Sequence, residues 1–127
     1  MNQERILVIE DNRDNLELVR FLLERAGYAV LEAANGADGW NLAQRELPDL
    51  ILLDMSIPEI DGWVLAGRLK ADPVTHLIPV VAITGHTLPG DRQRTLDAGC
   101  DGYISKPLDV IDFSAKIKTY LSKADAA

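Results

Sequence analysis

The sequence lacks the features that define several large protein classes. Only one of its 127 residues is a cysteine, Cys100, which excludes an internal disulfide and a multi-cysteine zinc site. No apolar run approaches the roughly 18 residues that cross a bilayer, and the first residues do not match the pattern of a secretion signal. We therefore expect a cytoplasmic protein without membrane contact, in which Cys100 is a small buried apolar residue.

Positive charge is also scarce. The chain has 13 Lys and Arg residues against 20 Asp and Glu residues, which gives a net charge of −7. Because nucleic-acid binding requires clustered basic residues, this pattern argues against a direct nucleic-acid partner. Hydrophobic residues make up 47% of the chain, enough for one full core, and we expect a single domain over residues 1–127.

Short β-branched runs alternate five times with longer segments of helical period. Strands are predicted at residues 5–9, 29–33, 50–53, 79–84 and 102–105, and a helix follows each strand. Apolar strands joined through helices indicate a parallel sheet that is covered on both faces. The predicted fold is an α/β, doubly wound five-stranded parallel sheet with five helices.

The apolar periodicity also predicts which helix faces meet this sheet. The inward stripe of helix one is predicted at Leu16, Val19, Leu22, Leu23 and Ala26. The inward stripe of helix two is predicted at Ala37, Trp40, Ala43 and Leu47. Phe21 falls on the opposite side of helix one, where we expect it to be exposed.

Polar residues follow the predicted strands at their carboxyl ends, where doubly wound sheets bind ligands. Glu10 and Asp11 follow strand one, Asp54 closes strand three, Thr84 closes strand four and Lys106 follows strand five. Each residue alone has an ordinary explanation, such as a helix N-terminus for the first two acids. A carboxylate that ends an apolar strand is harder to explain by packing. Together the residues predict one site.

Three neighbouring carboxylates repel one another unless they hold a proton or share a cation. An all-oxygen site with few carboxylates suits Mg²⁺ better than Ca²⁺. Magnesium beside a lysine and a hydroxyl stabilises the charge of a phosphoryl group. An aspartate in such a site can act as the nucleophile that accepts the phosphoryl group.

Four separated motifs resemble, in order and spacing, those of the receiver domains of two-component response regulators. They are VIEDN at residues 8–12, LILLDMSIP at 50–58, IPVVAITG at 78–85 and GYISKP at 102–107. The resemblance covers nearly the whole chain and extends to single-domain regulators and to receivers of hybrid histidine kinases. It implies the flavodoxin-like strand order 2-1-3-4-5. It also implies a signalling switch whose phosphoryl donor is a histidine kinase or a histidine-phosphotransfer protein.

The resemblance implies a phosphoacceptor and a set of metal ligands. Asp54 is then the phosphoacceptor. Asp54, Asp11 and the backbone carbonyl of Ser56 are direct Mg²⁺ ligands, and Glu10 binds the ion through water. We expect a phosphoacceptor signalling protein, which catalyses only its own phosphorylation and dephosphorylation.

The resemblance further implies a switch and an output surface. Thr84 and Lys106 contact the phosphoryl oxygens, while Tyr103 and Pro107 belong to the switch. Helix four, strand five and helix five form the surface that contacts a downstream target protein. Phe21 is a candidate docking anchor for a helical histidine-phosphotransfer partner.

Two other functions stay open. A magnesium-dependent phosphohydrolase on the same fold would use the same acids, although the sequence shows no lid or second domain to bind a substrate. An interaction module that is independent of phosphorylation would not need the complete acid set with Thr84 and Lys106. A flavin carrier and a P-loop protein are excluded, because Glu10 and Asp11 would repel a phosphate and no GxxxxGK[ST] motif occurs.

Overall fold

A computed structural model describes residues 3–55, 62–84, 93, 95–105 and 108–126, with the backbone alone described for Val110 and residues 123–126. The strands are β1 (Arg5–Ile9), β2 (Ala29–Ala33), β3 (Leu50–Asp54), β4 (Val80–Thr84) and β5 (Gly102–Ser105). The helices are α1 (Arg13–Arg25), α2 (Gly36–Glu46), α3 (Gly62–Ala71) and α5 (Val110–Ala126). Helical backbone at residues 93 and 95–97 belongs to the intervening helix, α4. No helix within these ranges is long and apolar enough to cross a membrane.

The five described strands form one parallel sheet in the order β2-β1-β3-β4-β5. This confirms the predicted fold and strand order. One apolar cluster fills the face of the sheet under α2 and α3, and a second fills the face under α1 and α5. The central strands β3 and β4 are buried along their whole length, as expected for strands covered on both faces.

Local sequence signals explain where the first two helices begin. The Asn12 side chain accepts a hydrogen bond from the Asn15 N–H at 3.0 Å, and Asn35 accepts one from the Asp38 N–H at 2.8 Å. Both bonds satisfy a helix N–H group that has no partner within its own helix. Gly27 follows α1 with a φ of +98°, a conformation that favours glycine. The start of α1 is thus fixed directly beside Asp11.

The predicted inward stripe of α2 is wrong at two of its four positions. Ala37 is exposed and Leu47 is 50% exposed, whereas Gly36, Gly39 and Ala43 face the core. The helix lies so close to β1 that a Cβ atom at Gly39 would come within 2.5 Å of the Ile9 side chain. Leu47 caps the helix in the left-handed conformation, with a φ of 47°, and leaves the helical face.

Candidate functional site

Three carboxylates meet at the carboxyl edge of the sheet. Ile9 pairs with Leu53, so the residues that follow them, Glu10 and Asp54, lie at the same level on adjacent strands. Together with Asp11, each offers a carboxylate oxygen, and the three oxygens lie within 4.8 Å of one another. The structure thus brings together the three acids that the strand-end argument predicted to converge.

The three acids differ in their exposure to water. Glu10 and Asp54 are almost fully buried, with 4% and 3% of their surface exposed, whereas Asp11 is exposed. The Glu10 N–H donates to the Ala33 carbonyl at 2.9 Å, which extends the ladder between β1 and β2 to the cluster itself. Burial penalises ionised carboxylates, and like charges at this separation repel. The cluster is therefore a site at which a cation is favoured.

The strand next to Asp54 supplies a hydroxyl. Asp54 pairs with Ile83 on β4, and the following residue, Thr84, is fully buried at the end of that strand. On β5, Ser105 pairs with Thr84, and half-buried Tyr103 pairs with Ala82. The predicted switch residue thus lies on the strand adjacent to Thr84.

Close packing holds the chain beyond Asp54. A Cβ atom at Gly62 would come within 2.7 Å of the Met55 Cα and 3.0 Å of its carbonyl oxygen. Only glycine lets the first turn of α3 approach β3 at this distance. The Met55 N–H donates to the Ile83 carbonyl at 3.2 Å, so the residue after Asp54 is also held by β4.

Three predicted residues lie outside the described part of the chain. These are Ser56, Lys106 and Pro107. Their roles as backbone metal ligand, phosphoryl contact and switch residue stay predictions. Phe21, predicted to be exposed on α1, has 57% of its surface exposed.

Sequence reasoning missed two contacts near the predicted switch. The Trp63 indole N–H donates to the buried Thr95 hydroxyl at 3.2 Å, which links α3 to α4. The Tyr103 N–H donates to the Tyr120 hydroxyl at 3.4 Å, which links β5 to α5. Both contacts depend on how helices register against their neighbours, and no local motif encodes this register.

Comparison with known proteins agrees with this arrangement of strands and acids. Residues 6–118 match the family model described as the response regulator receiver domain. The chain belongs to this family. A receiver domain is a phosphoryl-accepting signalling domain of two-component systems, and receiver domains interact with histidine kinases and downstream targets.

Two similar proteins match this chain over nearly its whole length and over nearly their own whole length. The polar-differentiation response regulator DivK of Brucella anthropi is 40% identical over 119 residues, which are 94% of this chain and 97% of DivK. A CheY-like response regulator receiver domain protein from Methanospirillum hungatei has a TM-score of 0.90 at 28% identity, with 98% of each chain covered.

A third relative carries a metal. It is the receiver domain of a sensor histidine kinase from Pseudomonas aeruginosa, solved with a magnesium ion coordinated in the active-site cleft. Its TM-score is 0.88 at 29% identity, and the match covers 95% of this chain and 99% of that domain.

Proposed function

We propose that this receiver domain is a phosphorylation-activated switch in which Asp54 accepts a phosphoryl group with the help of Mg²⁺. The observation that supports this most strongly is the cluster of Glu10, Asp11 and Asp54, whose carboxylate oxygens lie within 4.8 Å of one another at the carboxyl edge of the sheet. The donor is a histidine kinase or a histidine-phosphotransfer protein. The cytoplasmic location indicated by the sequence stays a prediction.

The acid cluster has the chemistry of a magnesium site. All three side chains offer hard oxygen donors, and exposed Asp11 leaves one side open to water, which Mg²⁺ retains in protein sites. Asp11, Asp54 and the Ser56 carbonyl would hold the ion directly, and Glu10 would hold it through water. When bound, the ion supplies positive charge that offsets the charge on phosphoryl oxygens.

Asp54 is the nucleophile in this proposal. One of its carboxylate oxygens forms a bond to phosphorus while the bond from phosphorus to the donor imidazole nitrogen breaks, and that nitrogen keeps the electron pair. Thr84, buried on the adjacent strand, and Lys106 then contact the phosphoryl oxygens. Charge-assisted hydrogen bonds of this kind are stronger than neutral ones.

The phosphoryl group shifts the protein between two states. The state in which Thr84 and Lys106 are drawn towards the phosphate is favoured after phosphorylation, and Tyr103 and Pro107 follow Thr84. A shift from mostly inactive to mostly active takes up to roughly 5.5 kcal/mol of differential interaction. The downstream target then recognises the surface formed by α4, β5 and α5.

Labelling by a small donor tests this function. Acetyl phosphate with Mg²⁺ should add one phosphate to the intact protein, as measured by mass, and Asp54→Asn should abolish the addition. Asp38→Asn, which changes an exposed aspartate on α2, is the matched control and should be labelled like the wild type. Full labelling of Asp54→Asn would refute the assignment. Rapid multiple turnover of small phosphate esters by the wild type would favour the phosphohydrolase instead.

We also propose that Phe21 anchors the phosphoryl donor. Phe21 and Ile111, which are 57% and 90% exposed, line a groove between α1 and α5 together with Arg25. The Arg25 guanidinium lies 6.0 Å from the centre of the Phe21 ring, close enough for a cation–π contact. The α1 helix begins two residues after Asp11, so a partner helix that lies along α1 from this groove would run towards the acid cluster.

Comparing two kinds of donor tests this docking role. Phe21→Ala should slow phosphotransfer from the cognate histidine-phosphotransfer protein and leave labelling by acetyl phosphate unchanged. The matched control is Leu77→Ala, which truncates another strongly exposed apolar side chain, on the turn before β4. Equal slowing with both donors, or equal effects of the two variants, would contradict the proposal.

A further inference from the structure

Tyr120, on α5, lies directly on the edge strand of the sheet. A Cβ atom built on Gly102 would overlap the Tyr120 ring, so the ring rests against the bare backbone of β5. The Tyr120 hydroxyl accepts a hydrogen bond from the N–H of the next residue, Tyr103, at 3.4 Å. One side chain thus contacts β5 by packing and by a polar bond.

The helix that carries Tyr120 is firmly held. Phe113, Ile117 and Leu121 of α5 are buried in the core with at most 4% of their surface exposed. Tyr120 packs against the same apolar cluster and is half-buried. A side chain on such a helix can hold a neighbouring strand in one position.

Within the described sheet, the strand has a partner on one side only. Among the described strands, β5 pairs with β4 alone, and an edge strand leaves one row of its backbone groups without a sheet partner. Tyr120 supplies a partner at Tyr103, two residues before the residue that pairs with Thr84. A bond of 3.4 Å is long for an N–H donor, so it breaks at low cost when the strand moves.

We propose that Tyr120 is a positioning residue that holds β5, and with it Tyr103, in the unphosphorylated position. This inference rests on the proposed function, in which Tyr103 changes position upon phosphorylation. Loss of the Tyr120 hydroxyl removes a contact made in the resting position, and the balance shifts towards the phosphorylated arrangement. A segment with two conformations shifts away from the one that loses a stabilising contact.

Tyr120→Phe keeps the ring and removes only the hydroxyl. The matched control is Tyr28→Phe, which removes a hydroxyl from another half-buried tyrosine against the same apolar cluster, just before β2. Amide hydrogen exchange, followed by NMR in the whole unphosphorylated chain, should be about 2-fold faster at Tyr103 in Tyr120→Phe, the lower end of the range for one net hydrogen bond, because the bond is long. Exchange at Tyr103 should not change in Tyr28→Phe. Unchanged exchange in Tyr120→Phe would overturn the proposal.

Backbone chemical shifts separate positioning from simple packing. Wild-type spectra with and without acetyl phosphate and Mg²⁺ define the two end points for Tyr103 and Thr84. Without donor, Tyr120→Phe should move these resonances along the line towards the phosphorylated end point. Faster exchange without such movement would overturn the positioning role, because it would show local loosening alone.

Gly102→Ala reaches the same contact from the strand. Its methyl group would overlap both the ring and the hydroxyl oxygen of Tyr120, so the side chain would have to move away from β5 although it keeps its hydroxyl group. It should move the Tyr103 resonance in the same direction as Tyr120→Phe does, and movement in the opposite direction would contradict the proposal.

The failure of this proposal can be told apart from the failure of the proposed function. If the wild type is never labelled, the proposed function fails. The exchange comparison needs no phosphate, so it still decides whether Tyr120 holds β5.

Discussion

Gly62 shows how a single residue can shape the site without taking part in its chemistry. It begins α3 against Met55, the residue after Asp54, at a distance that leaves no room for a side chain. Because the atom it would meet is backbone, a methyl group cannot be accommodated by a rotamer change. The position of Asp54 therefore depends on glycine at residue 62.

Gly62→Ala should lower the free energy of unfolding by about 1–3 kcal/mol, the usual cost of overpacking. Urea denaturation measures this loss. Gly67→Ala, also in α3, is the matched control, since its Cβ would lie 3.7 Å from the Ala98 carbonyl oxygen, an ordinary contact. Alanine there should be neutral or stabilising by up to about 1 kcal/mol, because it favours the helix. Equal losses in the two variants would contradict the packing argument.

Cys100 is confirmed as a buried apolar residue, and its thiol links stability to pH. Burial raises the pKa of Cys100 from 9.0 to about 12, and the charge of Asp101 adds to this effect. The folded protein therefore keeps the thiol proton at pH values at which the unfolded chain loses it. The contribution of this thiol to stability is fully present below about pH 9 and is lost as the pH rises towards 12.

Unfolding curves at two pH values check this linkage. The difference in free energy of unfolding between the wild type and Cys100→Ala should change in favour of the variant between about pH 7 and about pH 11. Other ionisations affect both proteins and cancel in the difference. A difference that is constant over this range would show that the folded state does not suppress ionisation of Cys100.

At the scale of elements, a small polar network joins α3, β4 and β5. The Lys70 ammonium donates to the Asp101 carboxylate at 2.9 Å and to the Ile78 carbonyl at 3.0 Å. The same carboxylate oxygen accepts the Val80 N–H at 2.8 Å. Asp101 therefore connects the beginnings of β4 and β5 to α3, at the end of the sheet opposite the acid cluster.

Asp101→Ala should lower the free energy of unfolding by about 1–3 kcal/mol, because it leaves a partly buried ammonium and a strand N–H without this acceptor. Glu17→Ala is the control, since it breaks the exposed pair between Arg13 and Glu17 and should cost no more than about 1 kcal/mol. Denaturation of both variants in the same buffer gives the comparison. Similar losses would mean that the network contributes no more than an ordinary surface pair.

The elements also show what the sequence can predict. The alternation of apolar runs with segments of helical period predicts the ends of all five strands to within one residue. This is possible because strands that are buried on both faces are apolar along their whole length. The same periodicity places Phe21 correctly on the exposed side of α1, but it wrongly places Ala26, the exposed C-cap residue, on the inward stripe. In α2 the rule failed, because it assumes that large apolar residues face the core, whereas close contact with Ile9 admits only glycine at residue 39.

At the scale of the whole molecule, parallel topology explains why the acid cluster could be predicted. Carboxyl ends of parallel strands meet at one edge, so strand-end residues distant in sequence, such as Glu10 and Asp54, become neighbours. The contact of Tyr120 with β5 could not be predicted in this way, since it depends on how far α5 lies along the strand. The single-domain organisation of residues 1–127 stays a prediction.

The central claim is that a phosphoryl group is transferred to Asp54, and reductive trapping tests it most directly. Borohydride reduces an acyl phosphate on aspartate to homoserine, which peptide mass spectrometry assigns to one position. After treatment with acetyl phosphate and Mg²⁺, homoserine should replace aspartate at residue 54 alone, and omission of Mg²⁺ should greatly reduce it. Homoserine at Asp11 or at another aspartate, with none at residue 54, would contradict the account.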